Sequence, residues 1–155
     1  MKWPHDDLQS KIAFFGDPRK STFESTFLTN LAPPYQMYYN GHPVKTIRVN
    51  KKIATALLYV FTEILDKCGH DQEKIDAIGA SSYGGCYNFR PIRGARNLSN
   101  HAFGAAIDIN PQKLPLGSNK KMNEIISTAF KNQGALLGQD YKGRKDPMHV
   151  EFVSR

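Results

Sequence analysis

The chain has 155 residues, 40% of them hydrophobic and 23% charged, a length and balance that fit one globular domain, residues 1–155, with a substantial core. A net charge of +7 favours an anionic partner such as nucleic acid, an anionic membrane or a cell-wall polymer. No apolar run reaches the ~20 residues that span a bilayer, and zinc-finger spacing, an RNP aromatic motif and a run of five basic residues are all missing.

The N-terminus, Met1-Lys2-Trp3-Pro4-His5-Asp6-Asp7, has no apolar h-region, so the chain is expected to be made and first held in the cytoplasm. Trp3, Leu8, Ile12, Phe14 and Phe15 suit a short helix or a packed arm, and Gly16-Asp17-Pro18 is a turn signal. Tyr35 to Tyr39 and Val44 to Val49 read as two strands around a hairpin at Asn40-Gly41. Asn50 can cap a helix whose apolar face is Ile53, Leu57, Phe61, Ile64 and Leu65, with Gly69 at its end. Ile75 to Ser82 reads as a strand broken by Gly84-Gly85.

Further on, Ala105 to Ile109 is a short apolar strand stopped by Asn110-Pro111. Met122, Ile125, Ile126, Ala129 and Phe130 define a second amphipathic helix, capped near Ser118 and ended by Gly134. His149 to Val153 is a last strand. These elements predict an α+β fold in which two main helices pack on a small antiparallel sheet. Cys68 and Cys86 form no metal or redox motif and are expected to be reduced and buried.

Chemistry concentrates in Leu98-Ser99-Asn100-His101-Ala102-Phe103-Gly104-Ala105-Ala106-Ile107-Asp108-Ile109 and in Lys145-Asp146-Pro147-Met148-His149-Val150-Glu151-Phe152. His101, Asp108 and His149 offer three metal ligands. Three ligands leave a fourth position for water, whose pKa a zinc ion lowers to about 7. Asp108 follows Ala105, Ala106 and Ile107, and a carboxylate in such surroundings is costly to bury unless paired or metal-bound. Asp146 stands three positions before His149, suited to take a proton from that water. Burial would raise its pKa and a metal would lower it. His149 and Glu151 share a strand face, so Glu151 could orient a ligand; a plain surface carboxylate is the equal alternative. Arg90, after Tyr87-Asn88-Phe89, is the candidate substrate-facing cation, with Arg93 and Arg96 as alternatives.

The pattern Ser99-x-His101-x-x-Gly104-x-Ala106-x-Asp108 resembles the first metal motif of the VanY/VanX-type D-alanyl-D-alanine peptidases, a family that includes phage L-alanyl-D-glutamate endopeptidases. Asp146-Pro147-Met148-His149-x-Glu151 resembles the second motif, and Gly85-Cys86-Tyr87-Asn88-Phe89-Arg90 looks like an upstream strand and arginine of one branch. The likeness covers roughly residues 75 to 153, and residues 1 to 40 join the domain by continuity alone. It implies a hedgehog/D-Ala-D-Ala-peptidase-like fold, Zn2+ on His101, Asp108 and His149, Asp146 as general base, Arg90 at the scissile carbonyl and Ser99 supporting the ligand loop.

Two departures stand out. Many members carry Glu at the position of Asp146, the phage members with Asp being the nearer match. Many also have aromatic residues where this chain has Arg144, Lys145 and Val150.

The resemblance therefore implies a zinc peptidoglycan peptidase acting on the stem peptide. The expected form is a monomeric endolysin cutting the L-alanyl-D-glutamate bond after release to the wall, with a D-alanyl-D-alanine carboxypeptidase as the alternative. A hedgehog-like zinc-binding module would not need Asp146. A nucleic-acid-binding protein would show salt-dependent binding without zinc; no specific nucleic-acid partner is expected.

Overall fold

The computed structural model describes residues 2–89 and 98–155. Helix α1 (Leu8–Phe15) starts where the Asp7 side chain accepts the Ser10 amide, and it is followed by α2 (Phe23–Phe27) and β1 (Leu28–Leu31). Strands β2 (Met37–Tyr39) and β3 (His42–Val44) form the expected hairpin, with positive φ at Asn40 and Gly41 as a tight two-residue turn requires. The second arm divides, however. Val44 ends β3, and a separate strand β4 (Ile47–Asn50) pairs antiparallel with β1 instead.

Helix α3 (Lys51–Lys67) begins as predicted, with the Asn50 side chain accepting the Lys52 amide at 3.0 Å. It buries Ile53, Ala56, Leu57, Val60, Phe61 and Ile64. Residues 75–82 correct the sequence reading. They hold the end of α4 (Gln72–Ala77) rather than a strand, because Asp71 accepts the Glu73 amide and caps a helix there. The glycines expected to break a strand lie within one, β5 (Tyr83–Gly85).

Strands β6 (Ala106–Ile109), β7 (Leu136–Leu137) and β8 (His149–Glu151) complete an antiparallel sheet in the order β5-β6-β8-β7. Helix α5 (Glu124–Asn132) is capped by Asn123, not near Ser118, whose amide instead closes a turn onto the Pro115 carbonyl. α5 packs against α3.

The fold is α+β, with the two long helices set against small antiparallel sheets. One hydrophobic cluster runs from Trp3 through α3 and α5 to Val153. The N-terminal arm joins it: the Trp3 ring lies edge-on to Phe152, and the Trp3 indole N–H donates to the Gln133 carbonyl at 2.8 Å. Cys68 and Cys86 are buried free thiols, as expected. No helix among the described residues is long and apolar enough to cross a membrane.

Candidate metal centre

The β6–β8 register builds the centre. Asp108 lies directly opposite His149, and Ala106 opposite Glu151. Directly paired residues have Cβ atoms about 5 Å apart, so Asp108 and His149 meet across the strands. His101 comes from a 3₁₀ turn over Asn100–Phe103, where Ser99 caps the turn and its Oγ accepts the His101 amide at 3.2 Å. Gly104 then reverses the chain at φ +67°, and a Cβ there would press on the Asn50 amide nitrogen. That close approach carries the chain from the turn into β6 and swings His101 back beside Asp108.

His101, Asp108 and His149 each offer a ligand atom, all within 4.8 Å of one another. His101 Nε2 is 3.4 Å from Asp108 Oδ2, and His149 Nδ1 is 3.2 Å from Asp108 Oδ1. The far nitrogen of each ring is engaged. His101 Nδ1 lies 2.7 Å from the Cys86 carbonyl oxygen, and His149 Nε2 lies 3.1 Å from Glu151 Oε2. When those far nitrogens carry the single ring proton, as a metal ligand requires, His101 Nε2 and His149 Nδ1 turn their lone pairs toward the space beside Asp108. Metal-binding histidines are held in this way, by a carbonyl or carboxylate on the other ring nitrogen. The donor set, two imidazoles and one carboxylate, suits zinc and leaves room for further ligands.

Electrostatics follow from this crowding. Burial raises the Asp108 pKa, but hydrogen bonds from His101 and His149 outweigh it and bring it down to about 2. Burial likewise opposes the charge on His149, yet Asp108 and Glu151 together hold its pKa up at about 9. Burial pushes the Cys86 thiol up, and its Sγ points to the Gly104 carbonyl, so it stays a protonated neighbour and not a ligand.

Asp146 is placed by backbone. Its amide donates to the Gly138 carbonyl at 3.0 Å, and its carbonyl accepts the His149 amide at 3.0 Å. A side chain at Gly138 would overlap the Asp146 carbonyl oxygen, so this contact needs glycine. Asp146 Oδ1 is buried without a hydrogen-bond partner among the described residues. Burial raises the Asp146 pKa above its ordinary value, with His149, Asp108 and His101 all contributing to its field.

A cleft of about 350 Å³ opens over His101 and Asp108, walled by Tyr39, Gly84, Asn88, Ser99 and Ala102. A larger hollow of about 580 Å³ between Leu136 and Arg155 contains none of the three ligand-type residues.

The structure thus brings His101, Asp108, His149 and Glu151 together, with Ser99 and Asp146 bound to the backbone of the two histidines. Arg90, Arg93 and Arg96 lie outside the described residues. Sequence reasoning missed the Cys86 carbonyl, Asn100, Tyr141, Gly138 and Tyr39. Only Asn100 had a signal, its place between Ser99 and His101 in the motif.

The family model described as D-alanyl-D-alanine carboxypeptidase matches residues 93–152, a stretch that holds both histidine motifs. No curated protein and no solved structure matches the chain. The match, over less than half of the chain, makes residues 93–152 similar to this VanY-type peptidase family.

Proposed function

We propose, from that similarity and the site geometry, that this chain is a single-domain, zinc-dependent peptidoglycan peptidase that cuts the L-alanyl-D-glutamate bond of the stem peptide as an endolysin does. The observation that carries the reading is the meeting of His101, Asp108 and His149 at one point beside an unsatisfied Asp146. Zinc held by His101, Asp108 and His149 would supply Lewis acidity and lower the pKa of a water.

Asp146 takes the proton of the attacking water as its oxygen adds to the peptide carbonyl carbon. The C–N bond then breaks, and Asp146 returns the proton to the leaving amine. Burial of Asp146 raises its basicity toward that task. Cys86 and Glu151 hold the two imidazoles in line, and Arg90 is assigned to the carbonyl oxygen. The basic chain, at +7, favours approach to an anionic wall. Asp at position 146, as in phage members, supports the endopeptidase over the carboxypeptidase. Similarity to a family described as D-alanyl-D-alanine carboxypeptidase supports the carboxypeptidase as the second reading.

Digestion of purified Gram-negative sacculi, with chelator and zinc add-back, followed by mass spectrometry, separates these. New N-terminal D-glutamyl peptides that vanish with chelator are the expected result. Release of D-alanine alone selects the carboxypeptidase. Stoichiometric zinc without cleavage rejects both in favour of a binding module.

A further inference from the structure

We propose that Lys11 and Asn100 are positioning residues for metal binding, a relay that sets the His149 ring through Glu151. The inference rests on the metal-centre reading above. Lysine is almost never fully buried unless paired, yet Lys11 on α1 is only 5% exposed. Its Nζ pairs with Asp6 Oδ1 at 3.1 Å, donates to Asn100 Oδ1 at 3.0 Å and reaches the Leu98 carbonyl at 3.5 Å. Asn100 is 7% exposed and Glu151 3%.

An ammonium only donates, so it dictates which way the Asn100 amide faces. Asn100 Oδ1 takes Lys11, and Nδ2 turns to Glu151 Oε2 at 2.8 Å. The reversed amide would set oxygen against carboxylate and NH2 against ammonium, two repulsive contacts in a buried site.

Glu151 is then filled on both oxygens. Oε1 accepts the Tyr141 hydroxyl at 2.8 Å and pairs with Arg155 Nη2 at 2.6 Å. Oε2 takes Asn100 and, at 3.1 Å, His149 Nε2. A carboxylate has about four acceptor positions, so the partners other than His149 leave it a single place. With Nε2 fixed there, Nδ1 is the ring atom aimed at Asp108. A helix that contributes no ligand thereby governs the orientation of one.

The test is zinc affinity at one fixed pH, by competition with a chromophoric chelator, alongside thermal unfolding in excess chelator. Lys11→Met and Asn100→Ala should fold and bind zinc about tenfold more weakly, the low end for groups behind a ligand. Lys11→Arg, which keeps a donor, should stay near wild type. Trp3→Phe removes the indole bond to Gln133 without touching the relay. It should lower the unfolding temperature and leave zinc affinity unchanged.

Wild-type zinc affinity in either folded Lys11→Met or folded Asn100→Ala overturns the relay alone. An equal loss in Trp3→Phe also overturns it, because the arm would then act only through general stability. Failure of the wild-type protein to bind zinc overturns the metal-centre reading and the relay with it.

Discussion

Glu151 and Asp146 are both carboxylates next to His149, and the fold treats them in opposite ways. Glu151 receives donors on both oxygens from Asn100, Tyr141, Arg155 and His149. Burial alone would raise its pKa, but the hydrogen bonds from His149 and Asn100 bring it down to about 2. Asp146 keeps a buried oxygen without a partner, and burial moves its pKa up. A carboxylate saturated with donors is a poor base and a good brace. One left short of donors has basicity to spend on a substrate. On the proposed function, the flank toward the N-terminal arm orients and the flank toward Asp146 reacts.

The largest expected effect separates ligand from base. His149→Ala should lose both bound metal and peptidase activity. Asp146→Ala should keep stoichiometric metal while turnover falls by about 10²–10⁴-fold, the usual worth of a general base. Metal content with turnover on sacculi measures both, and full hydrolysis by Asp146→Ala would remove that residue from the chemistry.

A subtler variant moves Asp146 without deleting it. Gly138→Ala puts a methyl into the Asp146 carbonyl, and a displacement near 1 Å costs about 10²-fold in rate. Zinc affinity should hold, because the ligands are elsewhere. Gly143→Ala, where an added Cβ meets nothing, is the matched control. Equal rates for the two variants would show that the close approach does not position the base.

The brace itself should show in the pH dependence of stability of the metal-free protein. Asp108 and Glu151 ordinarily titrate at 3.8 and 4.5 but at about 2 when folded, so their stabilisation is present above pH 4.5 and lost as pH falls toward 2. His149 moves from 6.5 to about 9, so its share is present below pH 6.5 and lost as pH rises through 9. Thermal unfolding in chelator should therefore peak between pH 4.5 and 6.5. Asp146 is shifted up and works against the acid limb, so Asp146→Asn should steepen that limb. A flat profile between pH 4 and 9 would contradict the brace.

The smallest effect lies at the cleft wall. Tyr39 is 48% exposed, with its ring 6.2 Å from that of Tyr83. Tyr39→Ala should raise KM about two- to tenfold, the value of one aromatic contact, with kcat and unfolding unchanged.

The cluster of His101, Asp108 and His149 was legible because their residue types, and the likeness of both motifs to a zinc-peptidase family, pointed to one site. Asp108 lies seven positions after His101, enough for one tight turn into a strand, and the sheet then brings His149 alongside. Helix α3 was legible from its stripe and its Asn50 cap. Strand β1 was not, since Leu28-Thr29-Asn30-Leu31 has little pattern and acquires its partner 16 or more residues away. α4 was misread as strand because Ile75 is its one buried residue and the Asp71 cap decides its form. Lys11 carries no signal at all: a lysine on a short amphipathic helix reads as surface until Asp6, Leu98 and Asn100 are seen around it. Gly138 gains its meaning only from a carbonyl eight positions later.

The meeting of the N-terminal arm with β8 also bears on how the molecule folds. Trp3 reaches Gln133 across 130 residues, and Asp6 takes the Arg155 guanidinium across 149. Contacts of such separation must close large loops before they return any stabilisation, which delays them relative to the local pairing of β2 with β3. We expect protection against amide exchange to appear early in α3 and last around Asn100 and Glu151. A chain caught before that closure would own every ligand and still lack the geometry, so hydrolytic competence should arise only with the final step of folding.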